Sequence, residues 1–263
     1  MTWAKRAGGT DGFGRGNDRS SENAHAAASL HSGPGGSLPP ATLHSDRELR
    51  GTADLVIRFV VAAAAGLLAY LAYPTGDLWW TAPFAVAGLI LATHRTSWRQ
   101  GAALGFVFGA ALHLPLIGWT GIFLGWVPRG ALTLLMAVYA ALAGLGLAKI
   151  SQVRLAVATP LLACWWVLAE AVASRFPWGG FGWSRLAFSQ ADGPTFGLAA
   201  LGGAPLVSFA VALAGSLLAA AALAVWRGQG VVPILAFNCA AVAVMGLGAV
   251  VPRPAAAEAG MLN

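Results

Sequence analysis

From Leu55 onward, apolar residues run in long stretches, and polar residues collect in the gaps between them. A helix needs about 20 mostly apolar residues to cross the ~30 Å hydrocarbon core of a bilayer. Seven stretches approach that length: 55–73, 78–93, 101–122, 131–148, 155–174, 195–225 and 231–251. The second is a little short, and the sixth is long enough to include a tilted or re-entrant approach to the membrane. Turn formers and charges punctuate the ends, as in Pro74-Thr-Gly-Asp77, His94-Arg95, Gly125-Trp-Val-Pro-Arg-Gly130 and Trp226-Arg-Gly-Gln-Gly230. The pattern predicts an all-α integral membrane protein with about seven transmembrane helices.

Two segments depart from this pattern. Residues 1–53 are rich in Gly, Ser, Asn, Asp and Arg, include Pro34, Pro39 and Pro40, and show no apolar periodicity. Such a segment buries too little surface to offset its ordering entropy, which predicts a disordered tail. It has no continuous apolar core of a signal peptide; an over-extended translation start is a second account of it. His25, His31 and His44 are irregularly spaced within it and read as solvated residues rather than a metal site. The other departure is 175–194, a polar, aromatic and glycine-rich island between the fifth and sixth runs. It carries Arg175, Trp178, Trp183, Arg185, Gln190 and Asp192.

Composition agrees with the membrane reading. Soluble domains carry roughly 25% charged residues; this 263-residue chain has 10%, with 57% hydrophobic residues and a mean hydropathy of +0.69. A net charge of +6 would suit a nucleic-acid partner, but the cations are scattered singly between apolar runs, which excludes that reading. They follow membrane topology instead. With the N-terminus inside, the inner segments hold Arg47, Arg50, Arg95, Arg99, Lys149, Arg154 and Arg227, with Arg58 close by. The outer ones hold Arg129, Arg175, Arg185 and Arg253. The bias predicts a cytoplasmic N-terminus, an extracytoplasmic C-terminus, and the 175–194 loop outside. The domains expected are a tail at 1–53, a seven-helix domain at 54–252 and a short extracytoplasmic tail at 253–263.

Within the runs, Gly101, Gly105 and Gly109 share one helical face and Gly121 and Gly125 are four apart, spacings that let helices pack closely. His113 falls near the middle of the third run, where a polar side chain is costly. It reads as a neutral imidazole bonded to a neighbouring helix, with a ligand or proton relay as the functional alternative. Glu170 lies one turn short of Arg175, under the loop. A structural ion pair with Arg175 or Arg185 is one reading; a polar pocket at the membrane surface is the other. Cys164 and Cys239 sit inside apolar runs and form no metal pattern, so both are expected to be small buried hydrophobes. Lys149, Cys164 and Glu170 cannot meet, because inner and outer helix ends lie ~25–30 Å apart at 1.5 Å per residue. Ser184 and Ser189 lie in the outer loop with no histidine to activate them. No phosphate-cradling glycine loop, HExxH or zinc pattern is present, and no cofactor or metal is expected. The intramembrane charges are also too few for a proton-coupled transporter.

The loop motif carries a resemblance. Trp183 followed by Ser189-Gln190-Ala191-Asp192-Gly193-Pro194, with Trp166-Val-Leu-Ala-Glu170 in the preceding run, resembles the membrane half of the apolipoprotein N-acyltransferases. The segment from His113 through Trp119 and the run holding Tyr139 look like the preceding helices of that family. Spacing to Gln190 and Asp192 aligns the family's Phe-Pro-Trp with Phe181-Gly182-Trp183, not with Phe176-Pro177-Trp178, so glycine replaces proline and Trp178 becomes the decoy. The resemblance implies a bacterial plasma-membrane reaction at the outer face. An acyl chain passes from a phospholipid, through a cysteine thioester, to the N-terminal amine of a diacylated apolipoprotein. It also implies that phospholipid and lipoprotein meet near Glu170, Arg175, Trp178, Trp183, Arg185, Gln190 and Asp192. The family's Glu-Lys-Cys triad belongs to a nitrilase-like domain after the seventh helix, where 253–263 would begin it. No residue here is assigned to the triad, and the chain alone is expected to be inactive. The alternative implied by such membrane domains is a non-catalytic anchor for a polyprenol-phosphate mannose synthase.

Overall fold

The computed structural model describes residues 40–74 and 76–251, with side chains from Gly51 on, Leu124 excepted. Residues 1–39 of the tail expected at 1–53, the side chains of its three histidines, and 252–263 lie outside the described residues. Helix dominates what is described, and no strand occurs there. The elements are α1 (Pro40–Leu71), α2 (Thr81–Thr93), α3 (Trp98–Leu116), α4 (Gly118–Leu124), α5 (Trp126–Ile150), α6 (Leu155–Ala173), α7 (Ala199–Trp226) and α8 (Val231–Gly246). Single 3-10 turns cover Leu186–Gln190, Pro194–Leu198 and Leu247–Val250. α1 begins at Pro40, so helix takes in 40–53, which composition had assigned to the tail. Proline at the first helical position lacks only an N–H that would be unpaired there anyway.

Each of the seven apolar runs forms a helix, but not every one is a full span. Five segments are long and apolar enough to cross a membrane: Gly51–Leu71, Trp126–Ile150, Leu155–Ala173, Pro194–Trp226 and Val231–Val250. α2 has 13 residues, about 20 Å at 1.5 Å per residue. It is apolar all round and buried at Ala82, Ala85, Val86, Leu89 and Ile90, as a helix enclosed by its neighbours should be. α3 carries Arg99, Gln100 and His113. It opens on a capping box, in which Ser97 accepts from the Gln100 N–H while the Gln100 side chain accepts from the Ser97 N–H. It stops at Ile117, just past Pro115, so the run 101–122 is two helices.

Backbone proximity holds the bundle together. A Cβ on Gly105 would sit 2.2 Å from the Ala140 carbonyl oxygen, and one on Gly144 would sit 2.3 Å from that of Gly101. Gly109 packs on Ala137 and Ala140 in the same way. Lipid gives apolar side chains no reason to leave it, so close van der Waals contact through small residues supplies the attraction. The second glycine pair behaves differently: Gly121 receives the Arg129 side chain, and Gly125 forms the break between α4 and α5. The outer surface carries Val56, Val60, Leu134, Val138, Leu168 and Val232, the facing a hydrocarbon solvent requires. Cys164 and Cys239 also lie on the exposed surface. This corrects their expected burial: hydropathy does not separate a lipid-facing position from a core one.

The connections alternate between two ends. Among residues 51–251, whose side chains are described, Arg58, Arg95, Arg99, Lys149, Arg154 and Arg227 lie at one end with a single acid, Asp54; we call it the basic end. The opposite, aromatic end carries Trp79, Trp80, Trp119, Trp126, Trp178 and Trp183, with three cations (Arg129, Arg175, Arg185) and three acids (Asp77, Glu170, Asp192) among the described residues.

Candidate functional site

The site is built where α6 ends. Glu170 occupies the last turn of α6, and its Oε1 accepts from the indole N–H of Trp166 at 3.0 Å and from the Leu186 backbone N–H at 2.8 Å. The Ser208 hydroxyl faces the same carboxylate and accepts from the Ala187 N–H at 3.1 Å. The carboxylate thus clamps a loop sixteen residues further along the chain to its own helix. Hydrogen bonds to a charged acceptor contribute about 1.5–3 kcal/mol each, enough to hold an otherwise irregular segment in place. Neither expected ion pair forms. Arg175 donates to the Ala171 carbonyl and Arg185 Nε donates to Ser174 Oγ, each at 2.9 Å, and Asp54–Arg58 is the ion pair among the described residues. The main-chain N–H of Leu186 reaches the carboxylate first.

Further tethers fix the loop. Two tyrosines supply them, one from the turn after α1 and one from α5: Tyr73 donates to the Ser184 carbonyl and Tyr139 to the Phe176 carbonyl, each at 2.6 Å. Between these points the chain turns sharply. Trp178, Gly179 and Gly180 all have positive φ, and a Cβ on Gly180 would stand 2.4 Å from the Ala173 carbonyl oxygen, so only glycine fits there. Trp178 is fully exposed at this turn.

Gln190 is fully buried. Its amide donates to the Trp79 carbonyl at 3.1 Å and to Ser189 Oγ at 2.9 Å, while its oxygen accepts from Thr195 Oγ1 at 2.9 Å. It is therefore a hub inside the loop and presents no group to a ligand, which corrects its expected place in the binding surface. Gly193 and Pro194 continue the same device. Gly193 lies against the Gln190 side chain, and Pro194 opens the turn that packs on Gly248. The Gln-x-Asp-Gly-Pro motif is the fastener of the loop.

Below the loop lies a cavity of about 70 Å³ with an apolar floor of Leu89, Phe108, Met136 and Trp166. Phe108 and Trp166 meet edge to face at 6.0 Å. Tyr139, Glu170, Ser174, Ser184 and Arg185 supply the polar part of the wall. Phe181 also walls a neighbouring groove of about 260 Å³ with Tyr73, Leu116, Trp119, Trp183 and Phe188. There Trp183 stacks between Trp119 and Phe181, with ring centroids 5.8 and 6.0 Å away. An apolar chamber with a carboxylate and a guanidinium on its wall, beside a stacked aromatic groove, suits an amphiphile with an aliphatic chain and a polar head.

The structure thus brings Glu170, Arg185 and Trp183 to adjoining cavities. It leaves Arg175, Trp178 and Asp192 on the exposed surface and Gln190 inside. Phe108, Met136, Tyr73, Tyr139 and Phe181 were not anticipated as site residues. The tyrosines offered a signal, because a phenol in an apolar run needs a hydrogen-bond partner. His113 is buried and bonds through Nδ1 to the Gly109 carbonyl of its own helix at 2.7 Å, not to a neighbour as expected. Cys164 faces outward. Among the described residues no cluster of His, Cys, Asp or Glu could hold a metal ion.

Comparison with known proteins agrees with this architecture. Residues 65–217 match the family described as apolipoprotein N-acyltransferase N-terminal domain. Over 180 residues the chain is 38% identical to the apolipoprotein N-acyltransferase of Mycolicibacterium smegmatis, covering 67% of this chain and 30% of that protein. Over 171 residues it is 35% identical to the Pseudomonas putida enzyme of the same name, covering 60% of this chain and 34% of that protein. The chain therefore spans about a third of the length of these curated relatives. With more than half of its residues inside the family match, the chain belongs to the apolipoprotein N-acyltransferase N-terminal domain family.

Proposed function

We propose that this chain is the membrane half of an apolipoprotein N-acyltransferase, in which the cavity under the 175–194 loop receives the phospholipid acyl donor. In the reaction the resemblance implies, a cysteine thiolate attacks the phospholipid ester, releasing a lysophospholipid and forming a thioester. The α-amine of a diacylated apolipoprotein's N-terminal cysteine then attacks the thioester, giving an amide and returning the thiol. The observation that carries the reading is the apolar chamber with Glu170 and Arg185 on its wall, closed by a loop that the family motif fastens. In this role Trp119 and Trp183 contact the lipid at headgroup level, where amphipathic rings are favoured. Arg185 faces the phosphate. Glu170 positions the loop.

The described residues supply no thiol to this chamber, since Cys164 and Cys239 lie on the exposed surface of α6 and α8. The chain by itself is therefore a binding wall without acyl transfer. The cation bias of the basic end supports a cytoplasmic N-terminus and an extracytoplasmic site. A phospholipid bearing a photoreactive acyl chain and a radiolabel tests both parts. Crosslinks should concentrate on Phe108, Met136 and Trp166 and disappear in Ala169→Trp, which fills the chamber from a half-buried position on α6, with no covalent acylation of the chain. Uniform crosslinking around the lipid-facing surface would remove the binding claim; thioester formation abolished by Cys164→Ala would remove the claim of inactivity. The anchor reading, with a polyprenol-phosphate mannose synthase docked on the basic end, finds no support in the names of the relatives above. Co-purification of such a synthase with this chain would revive it.

A further inference from the structure

At the basic end, α1, α2 and α7 diverge around a crevice of about 420 Å³ that the chamber and its chemistry do not involve. Ile57, Val61, Leu91, Ala222 and Val225 make its walls, and Arg58 and Trp226 stand at its rim. From Asp54 to Val61 the α1 wall is about 10 Å long at 1.5 Å per residue, room for part of one acyl chain. Cations surround the mouth. Arg58 crosses from α1 to the end of α2, donating to the carbonyls of Ala92 at 2.8 Å and His94 at 3.1 Å, and holds Asp54 at 2.8 Å. Arg227, next to Trp226, donates to His94 Nε2 at 3.3 Å, and Arg95 follows His94 with its side chain exposed. Three guanidiniums, those of Arg58, Arg95 and Arg227, thus gather around His94, with one carboxylate, Asp54, paired to Arg58.

We propose that this crevice binds an anionic phospholipid of the adjacent leaflet, with one acyl chain between α1 and α7 and the phosphate held by Arg227 and Arg95. The chain portion gives little selectivity, because lipid tails are as apolar as the crevice walls. The headgroup does the selecting: the mouth carries excess positive charge, and Arg58 is already committed to α2 and Asp54, leaving Arg227 and Arg95 for the phosphate. A second fissure provides the contrast. Between α2, α7 and α8 at the aromatic end, about 350 Å³ is lined by Trp80, Phe84, Ala241, Val242 and Met245, without a cation. It should take lipid tails without regard to headgroup.

Native mass spectrometry of the full chain, released from nanodiscs of equal dioleoyl-phosphatidylglycerol and dioleoyl-phosphatidylcholine, tests the proposal. The phosphatidylglycerol adduct should dominate, and Arg227→Gln should weaken it about five-fold, the effect of one arginine near a membrane surface. Ala222→Trp fills the crevice from an exposed position, so the fold is retained and the adduct should be lost. Val242→Trp, at an exposed position in the uncharged fissure, should leave the headgroup preference unchanged. Equal retention of the two lipids, or an undiminished phosphatidylglycerol adduct in Ala222→Trp, overturns the proposal. Loss of helical circular dichroism in Ala222→Trp would transfer the decision to Arg227→Gln, whose side chain lies on the surface. These outcomes are independent of acyl-donor binding at the other end.

Discussion

The two ends of the bundle are made of different materials. At the basic end the links are short, as in 94–97, 151–154 and 227–230; among the described side chains six cations stand with one acid, and two tryptophans, Trp98 and Trp226, are present. At the aromatic end the link between α6 and α7 is a folded structure with its own buried amide, two tyrosine tethers and a carboxylate clamp. Charge there is balanced three against three, and six tryptophans gather. One end is distinguished by its net charge; the other uses its polar groups to hold a loop over a cavity. Charge number marks the first, and hydrogen-bond connectivity marks the second.

The comparison can be broken most directly by locating the ends. With Cys164 and Cys239 replaced by alanine, Trp178→Cys should label with a membrane-impermeant maleimide in intact cells, and Gln229→Cys only after lysis. The reverse pattern would invert the proposed orientation. Next in size is Glu170→Ala, which leaves the Leu186 N–H and the Trp166 indole unpaired and should cost about 3 kcal/mol, given about 1–3 kcal/mol for each such group. Thermal unfolding in detergent measures it, and Glu170→Gln, which keeps an acceptor oxygen, should recover most of the loss. Gln190→Ala should cost about 2 kcal/mol by the same argument and expose the 175–194 loop to protease before the helices. If that substitution left the loop protected, Gln190 would not be its fastener.

Smaller effects distinguish the ends further. His94 at the basic end has its pKa held below the ordinary 6.5, first by burial and then by the charges of Arg227, Arg95 and Arg58. The unfolded chain therefore takes up this proton before the folded chain does. The sign follows: stability is complete above about pH 6.5 and declines as pH falls below it. The melting temperature should drop between pH 7 and pH 5, and His94→Gln should flatten that drop. Smallest of all, Asp192→Asn at the exposed turn should shift stability by no more than about 0.5 kcal/mol. A larger loss would mean that the acid of the family motif has a structural partner.

Hydropathy made the seven helices legible because lipid and protein both demand apolar side chains. For the same reason it could not distinguish α2, enclosed by neighbours, from α8, which faces outward along most of its length, nor place Cys164 on the lipid side. The break at Ile117 was hidden because Leu116, Ile117 and Trp119 keep the run apolar through it. The break at Gly202–Gly203 inside α7 was hidden among alanines and leucines. The loop was legible as a site by its composition, yet the roles within it were not. Proximity in sequence pointed Glu170 toward arginines, while the fold delivered a backbone N–H. Gln190 carried family identity, which attaches to residues that shape a site as readily as to those that touch a substrate.

The shortness of α2 has a geometric consequence. About 20 Å of helix is about 10 Å shorter than a hydrocarbon layer ~30 Å thick. Gln190 reaches the Trp79 carbonyl just before the N-terminus of α2, so the loop is fastened directly to the end of the short helix. Leu89 of α2 forms part of the cavity floor beneath it. In the proposed role, a lipid entering this chamber would meet Glu170 and Arg185 beneath a loop anchored on the short helix.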